Sequence, residues 1–385
     1  MPAASLTWKE VWSRRLARHW LLDRARADDM PKVVAAVCGI QAQVMPAAEL
    51  CIGVRVDGVT RQDVRDALWE KRALVKTFGI RGTVHIFPSD ELPLWMAALR
   101  ARSALDPKLH RSLDLDEREL GAVLEAIGDA LDGRRLTLKQ LGERVLGLAG
   151  PWAGETTEAW SGTFPRWRKA LGEAAYAGLL CYGPPEGNEV TFVRPDRWIG
   201  KWHDEDPDEA LTEVFRRYLR AYGPATPRDF AQWFNIPPSA GRDLAAKIEG
   251  ELEEVEVEGY RAYVLAGDAD AAELPDQLPV RLLPHFDCYV IGCHPRDRLL
   301  PPDWKERVPP RTIPSQLQVL LVDGTVAGVW DRQAKSKRVD VRVEPFGTLD
   351  ERQRSTLEKE ARRVGEILEA EATLAIGPVT VRPHL

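Results

Sequence analysis

The chain has 385 residues, of which 44% are hydrophobic and 29% charged, the profile of a core-forming globular protein of two or three modules. Disordered and collagen-like classes are excluded, and no run approaches the roughly 20 apolar residues of a membrane helix. Five cysteines (Cys38, Cys51, Cys181, Cys288, Cys293) are too few and too odd a set for a disulfide framework, which points to a reduced, cytoplasmic protein.

The net charge of −6 hides an uneven distribution. Residues 1–111 carry 18 basic and 12 acidic side chains, residues 112–200 carry 10 and 14, residues 201–275 carry 8 and 17, and residues 276–385 carry 17 and 16. A polyanion is therefore expected at the first segment and at a basic stretch near the end, and not along the middle.

The opening MPAASLTWKE lacks a basic region followed by an apolar one, so no secretory leader is expected. Thr7 with Glu10 is a capping-box pattern, and Val11, Leu16, Trp20 and Leu21 follow on one face. Pro31 opens a second helix that Gly39 stops, and Arg61 to Lys71 forms a third. Leu74–Phe78 and Thr83–Phe87 read as a hairpin around Gly79-Ile80-Arg81-Gly82. Helices followed by a hairpin outline a winged helix.

The outline recurs. A Thr137-capped helix, an amphipathic helix over Arg166–Leu179 and strands at Cys181–Gly183 and Val190–Val193 make a second set. Helices over Asp208–Tyr222, Thr226–Asn235 and Ser239–Ile248, then strands Leu252–Val257 and Tyr260–Leu265, make a third. After Leu274–Pro279 the pattern turns to strands. These are Val280–Leu283, Cys288–Ile291, a hairpin on Asp323-Gly324, and Val339–Val343; the helix Glu351–Ala370 and a last strand over Thr373–Val381 follow. The expected fold class is α+β: three tandem winged-helix modules (1–111, 112–200, 201–275) and a small barrel-like β domain (276–385).

Walker-type, Gly-x-Ser-x-Gly and His-Glu-x-x-His signatures are missing. Cys288, Cys293 and the flanking His285 and His294 match no zinc spacing and read as buried thiols in a strand, so no metal and no cofactor are expected. Gln41-Ala42-Gln43 stands out, because in an extended segment residues two apart share a side. Two amides there can hold one water or one polar ligand; equally, such a pair can simply solvate a loop.

Four segments in order carry a resemblance: Gly39-Ile40-Gln41-Ala42-Gln43, Phe78-Gly79-Ile80-Arg81-Gly82-Thr83-Val84-His85, Leu282-Leu283-Pro284-His285-Phe286-Asp287, and Val322-Asp323-Gly324-Thr325-Val326-Ala327-Gly328. Together they resemble the bacterial winged-helix DNA glycosylase family typified by AlkZ, over nearly the whole chain. The resemblance implies three winged helices forming a cradle, a C-terminal β-barrel, and Gln41 and Gln43 as catalytic residues of the Gln–apolar–Gln branch. It implies excision of N7-alkylated purines, and in that branch unhooking of interstrand crosslinks, in self-resistance to DNA-alkylating natural products.

The chemistry suits neutral amides. N7 alkylation leaves a cationic purine that departs without a general acid, and a positioned water captures the oxocarbenium-like sugar. No marked lysine nucleophile is visible, so a monofunctional enzyme is expected. Arg81, Thr83 and His85 on the first wing are DNA-contact candidates; otherwise Arg81 pairs with an acid and His85 is a satisfied histidine. Arg332, Lys335, Lys337 and Arg338 are candidates on a basic loop that otherwise is merely solvated. Arg166, Arg168 and Lys169, at a helix start, invite an anion or pair with Glu173. The expected partner is double-stranded DNA carrying alkylated purines, bound by a monomer without a membrane. A non-catalytic winged-helix regulator is the alternative, and a drug-sequestering protein a third reading.

Overall fold

The computed structural model describes residues 4–105, 113–159, 162–200, 202–269, 275, 277–308 and 312–380. The expected start of the β-rich region at Leu274 and end of the last strand at Val381 lie outside them. In chain order, the first elements are strand β1 (Ala4–Leu6), helices α1 (Trp8–Arg18) and α2 (Met30–Ala36), strand β2 (Ile40–Gln41), and helices α3 (Met45–Gly53) and α4 (Arg61–Trp69). The hairpin β3 (Leu74–Phe78) and β4 (Val84–Pro88) and helix α5 (Leu92–Leu105) follow. Thr7 caps α1 in a capping box with Glu10, and Pro31 lies in the first turn of α2, both as the residues dictate.

The chain divides into two compact units. One comprises 66–215 and 234–241. It holds the β3–β4 hairpin and a three-stranded sheet of β5 (Leu136–Thr137), β9 (Glu189–Val193) and β8 (Cys181–Glu186), in that order. A further hairpin, β6 (Thr156–Ala159) with β7 (Gly162–Pro165), was not legible in the sequence. Thr137 caps the helix Leu138–Ala149 in a box with Gln140. The amphipathic helix expected over Arg166–Leu179 is instead a 3-10 turn, Arg166–Ala170, followed by a short α-helix, Leu171–Tyr176.

The other unit comprises 1–65, 216–233 and 242–385. In it β10 (Leu252–Val257) and β11 (Tyr260–Leu265) form a hairpin on Glu258-Gly259, both at positive φ. The N-terminal strand β1 pairs parallel to β10, a contact between the two ends of a 250-residue separation that no local pattern announces.

The C-terminal region departs from expectation most. It is an open five-stranded sheet, not a closed barrel, in the order β12 (Arg281–Leu283), β13 (Val319–Val322), β14 (Thr325–Lys335), β15 (Arg338–Pro345), β16 (Glu371–Ile376). The first three pairings are antiparallel and the last is parallel. The helix Glu351–Ile367 carries the chain from β15 back to the start of β16, and a helical crossover of this kind makes the pair parallel. Leu357, Ala361, Val364 and Ile367 form its buried face. Asp323 (φ 51°) and Gly324 (φ 81°) make the expected tight turn of β13–β14. Cys288–Ile291 is not a strand: Cys288–Gly292 is a short helix whose N-cap, Asp287, accepts from Tyr289 N.

Candidate active site

Gln41 ends β2 and Gln43 lies two residues before α3. Burial alternates along the motif: Gln41 is half-buried, Ala42 is fully buried and Gln43 is exposed. The small apolar residue faces the core between two less buried amides; β2 ends at Gln41 and the chain bends at Gln43 on its way into α3. α3 then begins with Pro46 in its first turn and continues through an unbroken buried run from Ala47 to Gly53.

Three contacts hold α3 in place. Arg363 of the C-terminal helix donates to the carbonyls of Gly53, Val56 and Val59 at 3.1, 2.7 and 2.8 Å, which satisfies acceptors at and beyond the α3 C-terminus. Gly53 is closed against Ile367, where an added Cβ would meet side-chain carbons at 2.6–2.9 Å. Arg55, just past the helix, forks onto Asp287 with Nη1–Oδ2 at 2.7 Å and Nη2–Oδ1 at 2.8 Å, while its Nη1 also donates to Cys51 O. Both members of that pair are fully buried. Asp287 closes the Leu282–Asp287 segment, so this segment and the helix after the Gln motif share one buried ion pair. His285 in the same segment is half-buried and its Nδ1 donates to Gln316 O at 2.6 Å. Phe286 takes a left-handed backbone, φ 58°.

The candidate wing residues fall on and before β4. Arg81 sits in a 3-10 turn at φ 59° and is half-buried. Thr83 precedes the strand, and its Oγ1 lies 3.4 Å from His85 Nδ1, so the two share a side as expected. His85 itself is buried, 3% exposed, and Nδ1 donates to Thr83 O. Burial, with Arg81 nearby, pushes its pKa down to about 3. Gly79 closes over the ring, since an added Cβ would come within 2.9 Å of it. His85 is therefore a buried, neutral histidine whose Nδ1 is bonded to Thr83.

Arg332, Lys335, Lys337 and Arg338 do not form a loop. Arg332 and Lys335 belong to β14, Arg338 to β15, and Ser336-Lys337 make the turn, with Ser336 at φ 53°. Buried Val339, Val341 and Val343 alternate with exposed residues and keep the pairing up to the tip. Lys335, Lys337 and Arg338 are exposed there.

Residues 34–367 match the AlkZ-like DNA glycosylase family. A curated relative from Streptomyces sahachiroi, an "interstrand DNA cross-link repair glycosylase", is 32% identical over 368 residues, covering 93% of this chain and 95% of its own. The solved structure of the Streptomyces sahachiroi DNA glycosylase AlkZ superposes with a TM-score of 0.81 at 29% identity, covering 97% of this chain and all of that one.

The chain belongs to the AlkZ-like DNA glycosylase family.

Within this family frame the enzyme reading stands, and the regulator reading loses its ground. Other expectations need correction. Arg166 does not await an anion: it bonds Glu119 twice, at 3.1 and 2.8 Å, and lies 3.9 Å from both Asp114 and Glu155. Arg168 and Lys169 lie over the Phe164 ring. Cys288 and Cys293 are buried thiols, but they bound a short helix and not a strand, and Cys288 meets Cys51 at 4.0 Å. Cys51, Cys288 and Asp287 bring ligand atoms within 4.8 Å of one another, but both Asp287 oxygens already accept from Arg55.

Sequence reasoning missed Glu49, Arg55 and Asp287 as parts of the site's support. A charged residue inside an apolar run, as Glu49 is in Met45–Gly53, is the signal that could have pointed to the first.

Proposed function

We propose that this chain is a monofunctional DNA glycosylase that hydrolyses the N-glycosidic bond of cationic, N7-alkylated purines in duplex DNA, including those joined in interstrand crosslinks. What supports the reading is the burial pattern of the motif, in which the fully buried Ala42 stands between two less buried glutamines, Gln41 and Gln43. The pair presents amides, which donate and accept but do not take a proton at neutral pH. Such a pair orients water for a substrate whose leaving group already carries positive charge. It cannot help a neutral base that must be protonated to leave. Crosslinked purines resist extrusion from the helix, so the water is delivered to the base in the duplex.

Arg81 and Thr83, with His85 bracing Thr83 from behind, and Arg332, Lys335, Lys337 and Arg338 on the β14–β15 hairpin are the DNA contacts of this reading. The tandem winged-helix division of residues 1–275 belongs to it too, as does action as a cytoplasmic monomer in self-resistance to an alkylating natural product. No helix among the described residues is long and apolar enough to cross a membrane.

Charge selectivity tests the reading. Single-turnover excision is compared on one duplex sequence carrying N7-methylguanine or hypoxanthine, a neutral lesion. Release of the first and none of the second is expected, with strand cleavage only after alkali. Equal rates on both would refute the water-positioning mechanism.

A further inference from the structure

Helix α3 buries a carboxylate six residues after Gln43. Glu49 is 1% exposed, and its Oε1 accepts from Arg65 Nε at 2.7 Å. Burial raises its pKa, and Arg65, Arg61 and Arg332 all oppose that rise. Three guanidinium groups from α4 and β14 thus act on one buried anion.

They are not equally satisfied. Arg61 also pairs with Glu369 at 3.0 Å, near the surface. Arg65 has Glu49. Arg332 is half-buried, its Nε is buried without a hydrogen-bond partner, and burial lowers its pKa although Asp331 and Glu49 act on it from a distance. The described residues give its guanidinium no ion pair. A desolvated cation without a bonded anion is costly to maintain, and proteins keep such groups where a ligand supplies the counter-charge.

We propose that Arg332, Arg65 and Arg61 form a subsite for one phosphodiester of the DNA backbone, with Glu49 as the positioning residue that holds Arg65 and leaves Arg332 for the phosphate. A planar guanidinium matches phosphate with paired N–H donors, and of the three only Arg332 has no ion-paired carboxylate among the described residues. The middle of the β14–β15 hairpin, through Arg332, and α4, through Arg61 and Arg65, then grip the same strand. The inference rests on the glycosylase reading, which brings duplex DNA to this unit.

Arg332→Met keeps the side chain's bulk and removes the cation. Binding of lesion-bearing and undamaged duplexes is followed by fluorescence anisotropy across a salt series. The variant is expected to weaken both duplexes by the same factor and to make the slope of log K against log salt shallower by about 0.9. Its Tm is expected at or above that of the wild type, because an unpaired, largely desolvated charge is gone. Arg332→Lys is expected to restore the slope and only part of the affinity. Arg26→Met, an 84% exposed arginine of the same unit, supplies the baseline. Wild-type affinity and slope in Arg332→Met, or a lowered Tm with an unchanged slope, would overturn the subsite. A wild type that binds duplex DNA but releases no base sinks the glycosylase reading while leaving this salt test decisive. A wild type that binds no duplex overturns both.

Discussion

Asp287→Ala probes the support beneath the candidate site. The substitution removes both acceptors of the Arg55 fork, at 2.7 and 2.8 Å, and the acceptor for Tyr289 N at 2.9 Å. Both ion-pair side chains are 0% exposed, so no water replaces the lost carboxylate without rearrangement. Stranding a buried guanidinium costs about 3–5 kcal/mol, and losing the N-cap adds about 1 kcal/mol. The expected loss of about 4–6 kcal/mol is a large part of an ordinary domain's stability. The double variant Arg55→Met, Asp287→Ala removes the stranded charge and should cost only about 1–2 kcal/mol, mostly the cap. Urea unfolding of the wild type and both variants measures the difference. A single variant no less stable than the double would refute the claim that this pair is a desolvated, mutually dependent anchor. Because Arg55 also donates to Cys51 O near the end of α3, a contact that the single variant disturbs and the double variant removes, both should lose excision rate beyond their unfolded fractions.

Two further outcomes follow from packing and burial. Gly53→Ala places a methyl 2.6–2.9 Å from the Ile367 carbons and should destabilise by about 1–3 kcal/mol; adding Ile367→Val should recover part of that in thermal unfolding. His85 has a folded pKa of about 3 against an unfolded value near 6.5. The unfolded chain therefore binds the extra proton between these values, so stability is full above pH 6.5 and falls as the pH drops toward 3. His85→Phe should make that decline shallower by up to about 1.4 kcal/mol per pH unit, and an unchanged pH dependence would show that the ring is not buried neutral.

Much of the fold was legible where one residue type has one job. The Thr7–Glu10 capping box, the Thr137 cap, the stop at Gly39 and the turn at Asp323-Gly324 all depend on nearest neighbours. α3 escaped because it is buried from Ala47 to Gly53 and shows no polar face for a period to reveal. Cys288–Gly292 is a short apolar run rich in aromatic and β-branched residues, which reads equally as strand or helix; only the Asp287 cap decides it. Strand order was illegible too, since nothing local tells β16 to join β15 in parallel and leave the sheet open. For the site, the Gln41–Gln43 spacing was visible as a pattern. Its supports were not: Arg55 and Asp287 are 232 residues apart in sequence, and only the fold brings Arg332 near enough to act electrostatically on Glu49.

The most direct measurement is base release from a duplex carrying a single N7-methylguanine, comparing the wild type with the Gln41→Ala, Gln43→Ala variant under single-turnover conditions, with affinity for the same duplex measured in parallel. The wild type should leave alkali-labile abasic sites, while the double variant binds the duplex as tightly and releases no base above the spontaneous rate. Release by the double variant at the wild-type rate would contradict the assignment of the water-holding role to these two glutamines.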